Sequence, residues 1–131
     1  MGQTITLPAI AAMAPVARCG IAGLLAGADR HDDAVLIATE LVTRAIRASV
    51  GDVVIRVHDL NEIRIEVTDQ RGRHPRLDTI LVEDDAPYGL AIVSALADEI
   101  GSVRHRSGDC TMWALLRPLH SHLSRWPSQT A

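Results

Sequence analysis

The residues best suited to chemistry fall at three points of the chain, and the first point is a predicted helix. Glu40 and Arg44 are four residues apart within Glu40-Leu41-Val42-Thr43-Arg44-Ala45, a spacing that brings two side chains together on one helix face. A guanidinium carries five hydrogen-bond donors and no acceptor, so Arg44 cannot ligate a metal cation. One interpretation is an ordinary helix ion pair, which contributes about 0.3–0.5 kcal/mol when exposed.

The second and third points are the two ends of a long charged segment, Asp69–Pro87. Asp69 ends a predicted strand, and an aspartate there also commonly begins a turn. Gly89 begins a predicted helix, where backbone amides can bind phosphate, although a glycine at a helix start needs no ligand to explain it. Long irregular segments of this kind are often functional. The run Arg71–Arg76 within it either binds phosphate or an acidic partner, or is a solvated charged loop.

Composition excludes several kinds of chemistry. All 13 basic residues are arginine, so neither Schiff-base catalysis nor a Walker-type phosphate loop is available, because both need a lysine. Cys19 and Cys110 sit in no paired-thiol motif and are expected to be small buried hydrophobic residues in a reducing compartment. His105, His120 and His122 could converge on a metal ion, but tail histidines are more often solvated, and no metal site is predicted.

The elements that must position these residues follow from the spacing of apolar side chains. In chain order we predict a strand at Gln3–Leu7, helices at Ala14–Ala28 and Asp32–Ser49, strands at Val53–His58 and Ile63–Thr68, a helix at Tyr88–Glu99 ended by Gly101, and strands at Ser102–Arg106 and Thr111–Arg117. This order indicates an α+β fold, a two-layer α/β sandwich with helices on one face of a mostly antiparallel sheet. We expect one domain over residues 1–117 and a loose tail over 118–131.

Charge and hydropathy restrict the expected partners and location. The net charge is −3 with acids and bases interspersed, which argues against a broad nucleic-acid surface. No apolar run approaches the roughly 20 residues that a membrane span needs. The start of the chain, Met1–Thr4, carries no positive charge and does not read as a secretory signal. The expected location is therefore the cytoplasm, with no membrane partner.

Four motifs in order give the chain a family resemblance. They are the helix motif at residues 40–45, Val67-Thr68-Asp69, Tyr88-Gly89-Leu90-Ala91-Ile92-Val93, and Thr111-Met112-Trp113-Ala114-Leu115. Together they resemble the histidine-kinase-like ATPase (GHKL) superfamily, which has the Bergerat fold. Within it the chain is most similar to the anti-sigma-factor serine kinases and their actinobacterial relatives. The resemblance covers the chain from about Arg18 to Leu116.

The resemblance assigns a role to the helix motif, which reads Glu-Leu-x-x-Asn-Ala in the family. It implies that Glu40 is the catalytic base, while Arg44 stands where the family has the asparagine that holds Mg²⁺. Two interpretations of Arg44 remain open. It forms the helix ion pair described above, or it binds the nucleotide phosphates directly and supplies the charge of the missing cation. Under either interpretation a cationic neighbour lowers the basicity of Glu40.

The resemblance also implies an ATP site with Mg²⁺ in doubt. In the family the aspartate equivalent to Asp69 accepts a hydrogen bond from the adenine amino group, a threonine equivalent to Thr111 approaches the adenine, and the glycine motifs meet the phosphates. The implied nucleotide-binding residues of this chain are Arg44, Asp69, Gly72, Tyr88, Gly89, Leu90 and Thr111. The sequence has Pro87-Tyr88 where relatives often have Gly-Arg, so one glycine and the arginine of the second glycine motif are missing.

The function implied by the resemblance is that of an ATP-binding, anti-sigma-factor-like regulator of transcription. Such proteins form homodimers, hold a sigma factor inactive, and phosphorylate a serine on an antagonist of the STAS class. Whether this chain is an enzyme stays open, because Arg44 replaces the metal-binding residue. The alternative is an inactive pseudokinase that binds partner proteins without ATP turnover. A third hypothesis is a metal-dependent hydrolase that uses His105, His120 and His122.

Overall fold

The computed structural model describes residues 2–71 and 87–119. The described elements are, in chain order, strand β1 (Gly2–Pro8), helices α1 (Met13–Leu24) and α2 (His31–Ala48), strands β2 (Asp52–Asp59) and β3 (Ile63–Gln70), helix α3 (Pro87–Leu96), and strands β4 (Glu99–Arg104) and β5 (Asp109–Leu116). None of the helices within this part of the chain is long and apolar enough to cross a membrane.

The strands form one five-stranded sheet in the order β1-β2-β3-β5-β4. Every neighbouring pair is antiparallel, and the helices pack on one face of the sheet. The predicted α+β two-layer sandwich is therefore confirmed. The β2–β3 hairpin also forms as the alternation of apolar residues predicts, with Val57 opposite Ile65 in the register.

The core lies between α1, α2 and the sheet. Its largest fully buried side chains are Ile21 in α1 and Leu25 directly after it, Ile37 and Leu41 in α2, and Ile55, Ile65 and Leu116 in the sheet. Of the apolar stripe that helical spacing predicts for α2, Val35, Ala38, Leu41, Val42 and Ala45 are buried and Ile46 is half-buried. Cys19, predicted to be buried, is instead exposed on α1, whereas Cys110 is buried.

A buried arginine joins the start of α2 to the end of α3. Arg30 precedes α2 in the left-handed conformation, with φ of 65°. Its guanidinium donates hydrogen bonds to the Asp98 carboxylate at 2.9 Å and to the Leu96 carbonyl oxygen at 2.6 Å. The backbone N–H of Arg117 donates to the same Asp98 carboxylate at 2.7 Å. These bonds connect the ends of three elements around one carboxylate.

The end of α3 differs from the sequence-based expectation. The helix stops at Leu96, because Asp98 accepts the hydrogen bonds from Arg30 and Arg117 and the chain turns into β4 at Glu99. Gly101, expected to end the helix, lies inside β4 opposite Trp113 of β5. A Cβ atom at position 101 would come within 2.5 Å of the Trp113 ring, so this glycine is required by close contact with an indole and not by a helix end.

Candidate functional site

Asp69 lies at the end of β3 on the face of the sheet that the helices cover. Along β3 the buried side chains alternate from Ile63 through Val67 to Asp69, and Cys110 is its partner in the register with β5. Asp69 is 2 % exposed. A carboxylate this deeply buried requires hydrogen-bond donors around it, because charged groups that lose water must be compensated. The residue to which the resemblance assigns adenine recognition is therefore in the protein interior, on the helix-covered face.

The described donor to that carboxylate is Arg71, two residues along the chain. Arg71 Nε lies 2.8 Å from Asp69 Oδ1, and the two side chains are 5 % and 3 % exposed. The sequence-based interpretation of Arg71 as part of a solvated charged loop was wrong for this residue. The alternation of inward side chains along β3 continues past the last strand residue, so position 71 points to the same side as position 69. That parity was the signal in the sequence.

The charge state of Asp69 reflects two opposing effects. Burial is the larger one, and it raises the pKa of the Asp69 carboxyl above its usual value. The hydrogen bond and positive charge of Arg71, and the charge of Arg104, lower the pKa, whereas the negative charge of Asp109 raises it. Arg104 pairs with Cys110 in the β4–β5 register, so one row across the sheet carries an acid, a thiol and a base.

Gln70 fixes the backbone on which Asp69 and Arg71 are mounted. Its carbonyl oxygen accepts a hydrogen bond from Val50 N at 2.8 Å, and its backbone N–H donates to Ser49 Oγ at 2.9 Å. The side-chain oxygen of Gln70 accepts from Asp52 N at 3.1 Å. The end of β3 is therefore tied to the connection between α2 and β2. This also means that the C-terminal end of α2 lies beside the end of the strand that carries Asp69.

Glu40 and Arg44 lie on α2, in the half of the helix that leads to this end. Both residues are half-buried. Arg44 follows Leu41 by three residues and Ile37 by seven, so it shares the helix face that packs into the core. Within the described residues, no ion pair joins Glu40 to Arg44.

Thr111 lies on the opposite face of the sheet from Asp69. It is the register partner of Thr68, and the two hydroxyl oxygens are 2.7 Å apart. The His105 ring nitrogen Nε2 is 2.9 Å from the Thr111 hydroxyl on the same open face. The structure therefore does not bring the Thr111 side chain to Asp69, and Cys110 occupies the position across from it. A one-residue shift in parity exchanges the two faces of a strand, and the sequence motif alone does not reveal the parity.

Some of the remaining predicted residues lie in α3, and the others lie outside the residues that the structure describes. Tyr88, Gly89 and Leu90 belong to the first turn of α3, which begins at Pro87; proline is well suited to this first position because it has no N–H to leave unpaired. α3 packs against α2, so the glycine step and the Glu40 helix are on neighbouring elements. Gly72, like His120 and His122, lies outside the described residues.

Two cavities among the described residues are large enough to consider. One lies at the helix–sheet interface, and the other lies at one end of the sheet. An apolar one of about 300 Å³ is lined by Leu41 of α2, Val93 of α3, and β4 and β5 residues that include Met112. A larger one of about 480 Å³ lies at the far end of the sheet, around the β2–β3 hairpin and Asp29. The smaller cavity lies between α2, α3 and the β4–β5 part of the sheet, and among the described residues Asp69 is not part of its lining. Among residues 2–71 and 87–119, no cluster of His, Cys, Asp and Glu could hold a metal ion.

No family model matches this chain, and neither does any curated protein. Among solved structures, the chain is similar to the crystal structure of the RsbU and RsbW domains of Rv1364c from Mycobacterium tuberculosis. The TM-score is 0.67 at 26 % sequence identity, and the match covers 89 % of this chain and 32 % of that chain. This chain therefore spans about a third of the structure it matches. It is similar, over most of its own length, to part of a structure that contains RsbU and RsbW domains.

Proposed function

We propose that this chain is a nucleotide-binding regulator of the partner-switching type. In this proposal ATP binds between α2, the end of β3 and α3, and the protein acts by binding a sigma factor, a STAS-domain antagonist, or both. The observation that carries the proposal is the buried Asp69 carboxylate on the helix-covered face, at the strand end that adjoins α2. The structural similarity to a protein with an RsbW domain supports the partner class.

The chemistry of Asp69 suits an adenine amino group. An ionised carboxylate only accepts hydrogen bonds, and at 2 % exposure it has almost no water to donate them. A ligand that offers an N–H at this point would gain a charge-assisted hydrogen bond, which is about twice as strong as a neutral one. The apolar cavity lined by Leu41 and Met112 suits the flat face of a purine ring, and Met112 is the register partner of Val67, two residues before Asp69.

Magnesium does not fit the residues that the family uses for it. Glu40 offers a carboxylate, but Arg44 stands at the asparagine position and offers only donors. The proposal therefore stops at binding and includes no phosphotransfer step. Arg44 would instead meet the nucleotide phosphates with its guanidinium, which matches phosphate geometry better than a point charge does.

A second candidate is a partner-binding module that uses no nucleotide, which the ion pair of Arg71 favours. The Asp69 carboxylate already accepts a charged hydrogen bond inside the protein. In this case the fold would bind its sigma factor or STAS partner with a filled pocket. The two candidates share their partners and differ in their response to ATP.

Calorimetric titration of the full chain with ATP, with and without Mg²⁺, separates the candidates. We expect binding that is unchanged by Mg²⁺, and a loss of about tenfold or more in affinity for Asp69→Asn, since a hydrogen bond to a charged group contributes about 1.5–3 kcal/mol. Asp59→Asn is the matched control, because Asp59 is exposed at the opposite end of the sheet. Strict dependence on Mg²⁺ would contradict the role given to Arg44.

The partner part of the proposal has its own test. Affinity purification of the tagged chain from its native cells should recover a sigma factor or a STAS-domain protein, and size measurement in solution should reveal a homodimer. Recovery of neither class, from cells in which the tagged protein is folded, would leave the partner proposal without support. A monomer at micromolar concentration would contradict the dimer.

A further inference from the structure

The contact between Arg71 and Asp69 occupies the group that the proposed function assigns to nucleotide recognition. We infer that Arg71 is an internal competitor of adenine, whose guanidinium holds the Asp69 carboxylate until a nucleotide displaces it. This inference rests on the proposed function for the identity of the ligand. It concerns a specificity-determining residue of this chain that the nucleotide motifs do not include.

The competition follows from the acceptor that both groups need. Arg71 Nε donates to Asp69 Oδ1 at 2.8 Å, and an adenine amino group would donate to the same carboxylate. The guanidinium is charged at every accessible pH, so its hydrogen bond is stronger than one from a neutral amino group. Nucleotide binding therefore replaces a stronger donor to Asp69, the guanidinium, with a weaker one, the adenine amino group, and the other contacts of the nucleotide must offset the difference.

The arginine is also held close to its acceptor. It follows Asp69 by two residues, and the intervening Gln70 is fixed by three hydrogen bonds to the α2–β2 connection. A tethered group has a high effective concentration at a neighbouring site, whereas a free nucleotide does not. The fixed backbone leaves rotation of the arginine side chain as the route by which the carboxylate becomes available.

The Arg71–Asp69 pair is buried, and this distinguishes it from an ordinary surface ion pair. The side chains of Arg71 and Asp69 are 5 % and 3 % exposed, so water has almost no access to the carboxylate in this arrangement. An exposed pair of the same kind exists on the open face of the sheet, where Arg64 Nε donates to Glu66 at 2.7 Å with 39 % of the arginine side chain exposed. That pair lies on the face of the sheet opposite Asp69, beside the Trp113 ring, and supplies a control for the loss of an arginine–carboxylate contact.

A merely structural role and a competing role predict opposite effects of removing Arg71. If the arginine only neutralises Asp69, Arg71→Ala lowers stability and leaves nucleotide affinity unchanged or weaker. If the arginine competes, the same substitution lowers stability but tightens nucleotide binding. The apparent affinity rises because it is proportional to the fraction of molecules in which the carboxylate is available.

The experiment is calorimetric titration of the full chain with ADP in metal-free buffer, for the wild type, Arg71→Ala, Arg71→Gln and Arg64→Ala. We expect ADP to bind Arg71→Ala about tenfold or more tightly than the wild type, Arg71→Gln to an intermediate degree, and Arg64→Ala as the wild type does. Should Arg71→Ala fail to fold, Arg71→Gln decides the question, since it keeps most of the side-chain volume and removes the charge. Carbon-13 titration of the Asp69 carboxyl should also give a higher pKa in the variant.

The outcomes distinguish this inference from the proposed function. If the wild type binds ADP and neither Arg71 variant binds it more tightly, the competition is overturned and the nucleotide site stands. If the wild type does not bind and Arg71→Ala does, the competition is supported and the native chain is a partner-binding module. If no variant binds ADP, both ideas fail. An Asp69 pKa unaffected by Arg71→Ala would overturn the contact itself.

Discussion

Arg30 offers the sharpest quantitative test of this structure, because its side chain and its backbone make opposite contributions. The guanidinium, with 8 % of the side chain exposed, donates to Asp98 and to the carbonyl oxygen of Leu96. The backbone has φ of 65°, a conformation that costs a non-glycine residue roughly 1–2 kcal/mol. Arg30→Ala removes the first contribution and keeps the strain, whereas Arg30→Gly removes both.

The expected magnitudes follow from these contacts. Loss of the hydrogen bond to the charged Asp98 costs about 1.5–3 kcal/mol. The substitution also removes a second hydrogen bond, the one from the guanidinium to the Leu96 carbonyl oxygen. The Asp33 partner is 40 % exposed and contributes little. We therefore expect Arg30→Ala to lower the free energy of unfolding by about 3 kcal/mol. Arg30→Gly should lower it by about 2 kcal/mol, since glycine adopts the left-handed conformation without the steric cost.

The assay is urea unfolding followed by far-ultraviolet circular dichroism, with Arg47→Ala as the control. Arg47 is an exposed arginine in the last turn of the same helix, and its removal should change the free energy of unfolding by no more than about 0.5 kcal/mol. Glycine is ordinarily the more destabilising replacement near a helix, so the order of the two variants is diagnostic. An Arg30→Gly protein less stable than Arg30→Ala would refute the left-handed assignment, and a loss below about 1 kcal/mol in both would refute the buried contacts.

Three further predictions concern the carboxylate, the sheet and the helix motif. Burial raises the pKa of Asp69 above its usual 3.8, so the folded protein holds that proton more tightly than the unfolded chain does. The contribution of Asp69 to wild-type stability should therefore fall as the pH rises from about 4 through the folded pKa. Urea unfolding at several pH values should reveal this slope in the wild type but not in Asp69→Asn, and equal slopes would contradict the prediction. Gly101→Ala should lower the free energy of unfolding by about 1–3 kcal/mol, because its Cβ atom would meet the Trp113 ring at 2.5 Å. Gly23→Ala is the control, because nothing lies within 4 Å of its new Cβ atom, and it should stabilise α1 by up to about 1 kcal/mol. Thermal unfolding of both variants checks this. Under the proposed function, Arg44→Asn supplies an amide oxygen that can ligate a cation, so ATP affinity measured by calorimetry should become dependent on Mg²⁺, and a variant indifferent to Mg²⁺ would argue against Arg44 as the cation's substitute.

The elements and the fold class could be predicted from the sequence because they depend on local periodicity. The apolar stripe of α2 and the alternation along β2 and β3 each specify a buried face from residues that are near in the chain. The same alternation predicted that Asp69 lies close to the end of its strand. A resemblance carried by four short motifs then indicated how the elements assemble, and the two-layer sandwich agrees with it.

The end of α3 could not be predicted because it depends on partners far along the chain. A pattern of apolar residues through Ala97 reads as helix, and Gly101 reads as its end. In the structure Asp98 is required by Arg30, which lies 68 residues earlier, and Gly101 is required by the indole of Trp113 on the neighbouring strand. Arg30 and Asp98 share no local window of sequence, and Gly101 meets Trp113 only because β4 pairs with β5.

The site divides along the same line. The sequence by itself determined that an acid lies near the end of β3, that a carboxylate and a guanidinium are four residues apart on α2, and that no lysine is present. Residue types and short spacings can be read directly from the chain. Only the tertiary structure decided that β5 pairs with β3, in a register that puts Cys110 and not Thr111 beside Asp69. It also decided that Arg71 turns inward onto that acid. Strand order and the burial of a charge depend on which distant surfaces meet, and an inward arginine is stable only where a buried carboxylate compensates it.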